Sequence, residues 1–281
     1  MENILQKIAE RTRIRIAENK EQIPESVLKE MLLLKLEKEA ASGQNLPDFK
    51  KALSKPGMSY ICEVKKASPS KGLIAPEFPY LEIAREYEEA GASAISCLTE
   101  PYWFQGSDRY AEEIAGAVSI PVLRKDFTID SYMLLQARVM GVAAVLLICA
   151  IHEDSQLKEY LEQTHELGMH ALVEAHDEEE VRRAIKAGAG IIGVNNRDLR
   201  TFTVDTGNSI RLRAIAPADR VFVSESGIRT AEDIRALADN GVDAVLIGET
   251  LMRSRDKKEV LYRLNGGPLA SKSSVRPGER L

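Results

Sequence analysis

Five times along the chain a glycine ends a polar, helix-patterned segment and a short aliphatic run follows. The copies are GASAI at Gly91, GVAAV at Gly141, GMHAL at Gly168, GAGII at Gly188 and GVDAV at Gly241. Glycine closes a helix in the left-handed conformation at little steric cost. A short branched run after it reads as a buried strand. The recurrence makes helix-then-strand the construction rule. Eight apolar runs can be marked, at residues 60–65, 94–99, 121–124, 144–148, 171–174, 191–194, 221–224 and 244–247. Their mid-points, residues 63, 96, 123, 146, 172, 192, 222 and 245, lie 20 to 33 residues apart. That leaves room for a loop, a helix and a second loop, far more than a hairpin needs. Eight successive βα units predict an α/β fold, a (β/α)8 TIM barrel. An open doubly wound sheet would be supported by a Gly-rich GxGxxG turn after the first run, and none follows it.

The barrel is expected over residues 58–264. Residues 1–57 precede it and read as an N-terminal helical extension, broken at Pro24, Pro47 and Pro56. Within it, Val27, Leu28, Met31, Leu32 and Leu36 recur at helical spacing and predict a helix packed on the barrel. Residues 265–281, NGGPLASKSSVRPGERL, predict a mobile tail without catalytic role. The 38 Lys and Arg against 43 Asp and Glu give a net charge of −5, which weighs against nucleic acid as a partner. No apolar h-region opens the chain, and the longest mostly apolar run, residues 142–151, is too short to cross a membrane. Cys62, Cys97 and Cys149 each sit inside an apolar run and read as free, buried thiols of a cytoplasmic protein. No CxxC or HExxH spacing points to a metal. The four histidines, at 152, 165, 170 and 176, are expected at the surface or in loops. The chain is expected to be a monomer.

Functional residues of a βα barrel gather at the C-terminal ends of its strands. Period-2 alternation in YICEVKK sets Ile61, Glu63 and Lys65 on one face and Cys62 and Val64 on the other. Glu63 and Lys65 then meet inside the barrel, where a charge is costly unless paired; such a pair could equally be structural. The same rule sends Lys125 of PVLRKDF and Glu174 of ALVEA into the mouth. A Lys in a partly dry mouth can have its pKa lowered and act as an acid or nucleophile; the alternative is a solvated Lys at the strand end. In IIGVNNRDL, Asn195 and Arg197 share a side, and Arg can grip a carboxylate bidentately. Ser68 in SPSKG, Ser226 and Gly227 in SESGI, and Gly248 and Glu249 in LIGET predict a phosphate cradle of loop backbone and small residues. A carboxylate at Glu249 fits there only if its backbone, and not its side chain, faces the anion. Glu225 adds a third carboxylate. Tyr102, Trp103 and Phe104 follow the second run directly and read as a wall for a flat apolar group or, in part, as a plug under the loop.

The stretches EVKKASPSKG, LTEPYWFQGS, LRKDF, LVEAHDEEE, GVNNRDL, SESGI and LIGETLM, in this order, cover all but one of the eight units. With them the chain resembles the indole-3-glycerol-phosphate synthase family, whose members also carry an N-terminal helical extension. Departures are the Trp of PYWF and Cys149, neither at a matched catalytic position. The resemblance implies a metal- and cofactor-free carboxy-lyase of tryptophan biosynthesis. Its substrate would be 1-(2-carboxyphenylamino)-1-deoxyribulose 5-phosphate, a phosphorylated small molecule. By motif, Lys125 would be the general acid and Glu174 its acid–base partner. Glu63 and Lys65 would orient substrate and assist dehydration, and Asn195 and Glu225 would bind the reacting centre. Arg197 would hold the anthranilate carboxylate. Ser68, Ser226, Gly227, Gly248 and Glu249 would hold the phosphate, and Phe104 and Leu146 would line the ring pocket. Read from the residues alone, a Schiff-base aldolase using Lys125 and a non-catalytic binding barrel are the competing functions.

Overall fold

The computed structural model describes residues 4–43, 45–198 and 201–267. The mobile tail expected after residue 264 therefore lies, from residue 268 onward, outside the described residues. The barrel strands are β1 (Ser59–Val64), β2 (Ala94–Leu98), β3 (Val122–Lys125), β4 (Ala144–Ile148), β5 (His170–Ala175), β6 (Ile191–Asn195), β7 (Val221–Glu225) and β8 (Ala244–Ile247). Each run marked in the sequence is a strand, with ends moved by one residue at most. All neighbours pair in parallel, and β1 closes the ring on β8, with Cys62 opposite Ile247 on one side and Ile95 on the other. Closure excludes the open doubly wound sheet. Barrel helices follow the strands: α4 (Tyr80–Glu89), α5 (Asp108–Ala117), α6 (Ser131–Met140), α7 (Asp154–Glu166), α8 (Glu178–Ala187), α9 (Gly207–Arg213) and α10 (Ala231–Asp239), then α11 (Glu249–Met252) and α12 (Lys257–Leu264).

Local chemistry fixes the helix ends. Asp177 accepts from the Glu180 N–H at the start of α8, and Thr230 and Asp233 form a reciprocal capping box on α10. Gly141 and Gly188 cap α6 and α8 in the left-handed region, at φ 86° and 93°. The strand alternation then sorts the core in two. Ile61, Leu123, Leu146, Leu172, Val223 and Leu246 fill the barrel, while Cys62, Val64, Val145, Leu147 and Val173 pack under the helices. All three cysteines are free and buried, and burial pushes their thiols up. Among the described residues no helix is long and apolar enough to cross a membrane.

Three helices precede β1: α1 (Ile4–Gln22), α2 (Glu25–Ser42) and α3 (Phe49–Leu53). Phe49 and Leu53 are fully buried in the inner cluster, and the Ser59 hydroxyl donates to the Leu53 carbonyl at 3.2 Å, so α3 lies at the N-terminal end of the barrel. Leu5 and Ile8 of α1 join the same cluster. The apolar face of α2 buries less than its spacing predicts: Leu28 and Leu32 are buried, whereas Val27, Met31 and Leu36 are exposed. Its attachment to α6 is partly polar, with Lys35 donating to the Val139 carbonyl and Glu39 paired with Arg138.

Candidate active site

A cavity of about 420 Å³ opens at the C-terminal ends of the strands, a size ordinary for a small-molecule site. Fourteen of the residues that the sequence singled out line it: Glu63, Lys65, Ser68, Phe104, Lys125, Leu146, Glu174, Asn195, Arg197, Glu225, Ser226, Gly227, Gly248 and Glu249. Their gathering follows from parity, since Glu63, Lys125, Glu174 and Glu225 are the inward positions nearest the ends of their strands.

Lys125 is the centre of charge. Its Nζ lies 2.9 Å from Glu174 Oε2 and 3.4 Å from Glu225 Oε2, with both carboxylates buried and the lysine partly so. Burial by itself lowers the proton affinity of Lys125, the direction open to a lysine in a partly dry mouth. The fields of Glu174, Glu225 and Glu63 outweigh it, and the lysine is held above its ordinary value. The lowering does not occur: a desolvated lysine among three carboxylates keeps its proton. The carboxylates respond unequally. Burial resists ionisation of Glu174, but Lys125, His176 and Asn195 overcome it and hold the group below its usual range. Burial dominates at Glu225 and, with Glu174 and Glu63 adding to it, pushes that carboxyl up to about 7. Glu225 Oε1 is buried with no hydrogen-bond partner. Glu63 and Lys65 form the pair predicted for them.

The two ends of the cavity differ. At one end Ser226 and Gly227 both have left-handed backbone, at φ 69° and 88°, a conformation costing a non-glycine residue roughly 1 kcal/mol. Lys71, Arg229 and Arg253 line this end. The Glu249 carboxylate is taken up by Arg253 at 3.0 Å and Lys71 at 3.6 Å. At the other end stand Phe104, Leu146, Ile148 and Phe127, with Ile4, Leu5 and Ile8 of α1. Glu100 accepts the backbone N–H groups of Tyr102, Trp103 and Phe104 at 2.9, 2.7 and 3.0 Å, which folds the aromatic loop. Of the three aromatics only Phe104 reaches the cavity. Trp103 packs on the inner cluster, and Tyr102 turns out to Arg11 of α1, 2.7 Å from its hydroxyl. Arg197 donates from Nη1 to the Phe202 carbonyl at 3.2 Å.

Several residues escaped the sequence reading. Lys71 belongs to the SPSKG loop, whose hydroxyls and cation together suit an anion, whereas Arg229 and Arg253, which follow the two predicted loops, carried no signal of their own. The α1 residues gave no signal, because nothing local ties them to a mouth more than fifty residues away. Histidines were expected at the surface or in loops. His152 and His176 do lie in loops, but His152 is buried, and His176 stands at the cluster, its Nε2 3.4 Å from Glu174 Oε1. Alternation carries that signal, since 172, 174 and 176 share parity. Among the described residues no group of three or more His, Cys, Asp or Glu is placed to hold a metal.

Comparison with known proteins agrees with this geometry. A family model described as indole-3-glycerol phosphate synthase matches residues 5–264. The indole-3-glycerol phosphate synthase of Endomicrobium trichonymphae is 56% identical over 261 residues, 93% of this chain and 99% of that protein. That of Ruminiclostridium cellulolyticum is 53% identical over 263 residues, 94% and 99% of the two chains. Among solved structures, thiamine phosphate pyrophosphorylase from Pyrococcus furiosus superposes with a TM-score of 0.56 at 17% identity, over 78% of this chain and 96% of that one. That likeness shows the barrel alone. Identity of this extent along nearly the whole chain goes further: the chain belongs to the indole-3-glycerol phosphate synthase family.

Proposed function

We propose that Lys125 and Glu174 carry the proton transfers of this family's reaction, with the other residues of the cavity holding the substrate around them. The enzyme is a carboxy-lyase of tryptophan biosynthesis. It closes 1-(2-carboxyphenylamino)-1-deoxyribulose 5-phosphate to indole-3-glycerol phosphate, with loss of CO₂ and water. In the first step the ring carbon bearing the carboxylate attacks the sugar carbonyl carbon. A carbon–carbon bond forms, and the carbonyl electrons move onto oxygen, which takes a proton from Lys125. CO₂ then leaves, and its bonding electrons return to the ring. Loss of the hydroxyl as water needs one proton delivered to oxygen and one removed from carbon; Glu174 takes part in this exchange, assisted by the Glu63–Lys65 pair.

The observation that carries this reading is the protonated Lys125 held between Glu174 and Glu225. An ammonium is an acid and not an amine nucleophile, so the geometry favours acid catalysis over the imine of an aldolase. The unlike ends of the cavity support the poses. Ser68, Ser226, Gly227, Gly248 and the Glu249 backbone hold the phosphate, with Lys71, Arg229 and Arg253 supplying charge. Phe104 and Leu146 cover the ring, Arg197 holds its carboxylate, and Asn195 and Glu225 face the reacting carbons. A ring buried against Phe104 and α1 strips water from the carboxylate, which eases loss of CO₂.

Indole emission, followed with substrate and EDTA present, tests the assignment. Lys125→Ala and Glu174→Gln should each lower turnover by about a hundredfold or more with the circular dichroism unchanged. Borohydride should trap no covalent adduct in the wild type. Near-normal rates in either variant sink that residue's role, and a trapped imine revives the aldolase.

A further inference from the structure

His176 follows Glu174 by two residues and faces it. Its Nε2 lies 3.4 Å from Glu174 Oε1, is buried from water, and makes no hydrogen bond of its own. The other ring nitrogen is fixed: Nδ1 is 3.0 Å from Glu180 Oε2, and the same carboxylate oxygen accepts the His176 backbone N–H at 2.8 Å. The Asn208 amide donates to the His176 carbonyl at 3.0 Å. The ring is thus clamped from α8 and α9 with one nitrogen aimed at the catalytic carboxylate. We propose that His176, held by Glu180, is a positioning residue for Glu174: it supplies a second positive charge beside that carboxylate and keeps it ionised and turned toward Lys125.

Charge balance supports the assignment. Glu174, Glu180 and, farther off, Glu225 surround the ring, and Lys125 is the cation that Glu174 and Glu225 share. An imidazolium at 176 adds a positive charge to this acidic surrounding. With Nδ1–H given to Glu180, a neutral ring would instead set an Nε2 lone pair against Glu174 Oε1, unless Glu174 itself carried the proton. The groups facing the ring are Glu174 from its own strand, Glu180 from α8 and, farther off, Glu225 from β7; all three are acidic. Burial disfavours the imidazolium, but these carboxylates outweigh it, and His176 stays charged to higher pH than a free histidine. Glu174 has its two oxygens divided accordingly, Oε2 to Lys125 and Oε1 toward His176 and Asn195.

The inference rests on Glu174 being an acid–base group, so its test has two arms. The first is the pH dependence of kcat and KM for the wild type, His176→Gln and Glu180→Gln. Without the histidine's charge Glu174 should need a higher pH to ionise. His176→Gln should then lose about tenfold in kcat on the acidic side and recover as the pH rises, with KM within about twofold. Glu180→Gln, which keeps an acceptor for Nδ1, should move the acid limb the same way by less. An unmoved acid limb, or an equal loss at every pH with raised KM, overturns the proposal.

The second arm is the NMR titration of the His176 ring in the full chain, which does not depend on turnover. Its midpoint should lie above that of a free histidine in the wild type and fall by about one pH unit in Glu174→Gln. An unchanged midpoint overturns the coupling even if Glu174 proves catalytic. A lowered midpoint in an active Glu174→Gln variant keeps the coupling and removes Glu174's catalytic role instead.

Discussion

Gly193 and Gly248 show how closely the charged layer is packed. A Cβ at Gly193 would overlap the Glu225 carboxylate, and one at Gly248 would overlap Glu63 and come within 2.8 Å of Lys65 Nζ. Both are the empty inward positions that let acidic side chains cross the barrel. The obstructing atoms at Gly248 are the ends of side chains and can move aside, so the cost there is functional. Gly248→Ala should keep a near-normal melting temperature and lose about tenfold or more in kcat/KM, roughly 1.4 kcal/mol of transition-state stabilisation. Gly106 is the contrast: its Cβ would strike the Leu98 carbonyl and the Thr99 backbone, which cannot yield. Gly106→Ala should therefore destabilise by about 1–3 kcal/mol, read as a lower urea midpoint. The reverse pattern in the two variants would refute this division.

The N-terminal helix α1 is joined to the end of β3 by a buried ion pair. Arg15 donates from Nη2 to both oxygens of Asp126, at 2.8 and 3.0 Å, and Thr99 Oγ1 adds 2.7 Å. Asp126 is the residue after Lys125. Burial resists its ionisation, but Arg15 and Arg124 outweigh it and hold its carboxyl below the usual range. Arg15→Ala would strand that charge and should cost about 3–5 kcal/mol in denaturant unfolding at neutral pH. Because the folded value is depressed, this contribution is present above the unfolded value near 4 and is lost as the pH falls through the lower folded one. The gap between variant and wild type should accordingly narrow in acid; a gap that does not depend on pH would mean that packing, and not charge, is what Arg15 supplies. The amphipathic pattern of the first twenty residues announces a helix. It does not announce this partner, which lies 111 residues along the chain.

Closing the ring makes one cavity out of eight strand ends, and ligand should report on all of them together. Indole-3-glycerol phosphate at a hundred times its Kd should stabilise the fold by about 2.7 kcal/mol, seen as a rise of several degrees in Tm that Arg253→Ala reduces. A rise that Arg253→Ala leaves unchanged would place the phosphate elsewhere. The barrel itself was legible because its signals are local: eight apolar runs at helix-plus-loop spacing, each of period two, name both the fold and the inward face. The same parity put Glu63, Lys125, Glu174 and Asn195 on the cavity before any contact was known. The charge on Lys125 was not legible. Its nearest partner is 49 residues away, and its protonation is a sum of fields from carboxylates on three other strands. The wall that α1 gives the apolar end of the cavity and the Arg15–Asp126 link were hidden for the same reason. Periodicity is a property of neighbours in the chain, and reads directly from order. Proton affinity, desolvation and long-range pairing depend on distances between residues that only closure of the barrel brings together.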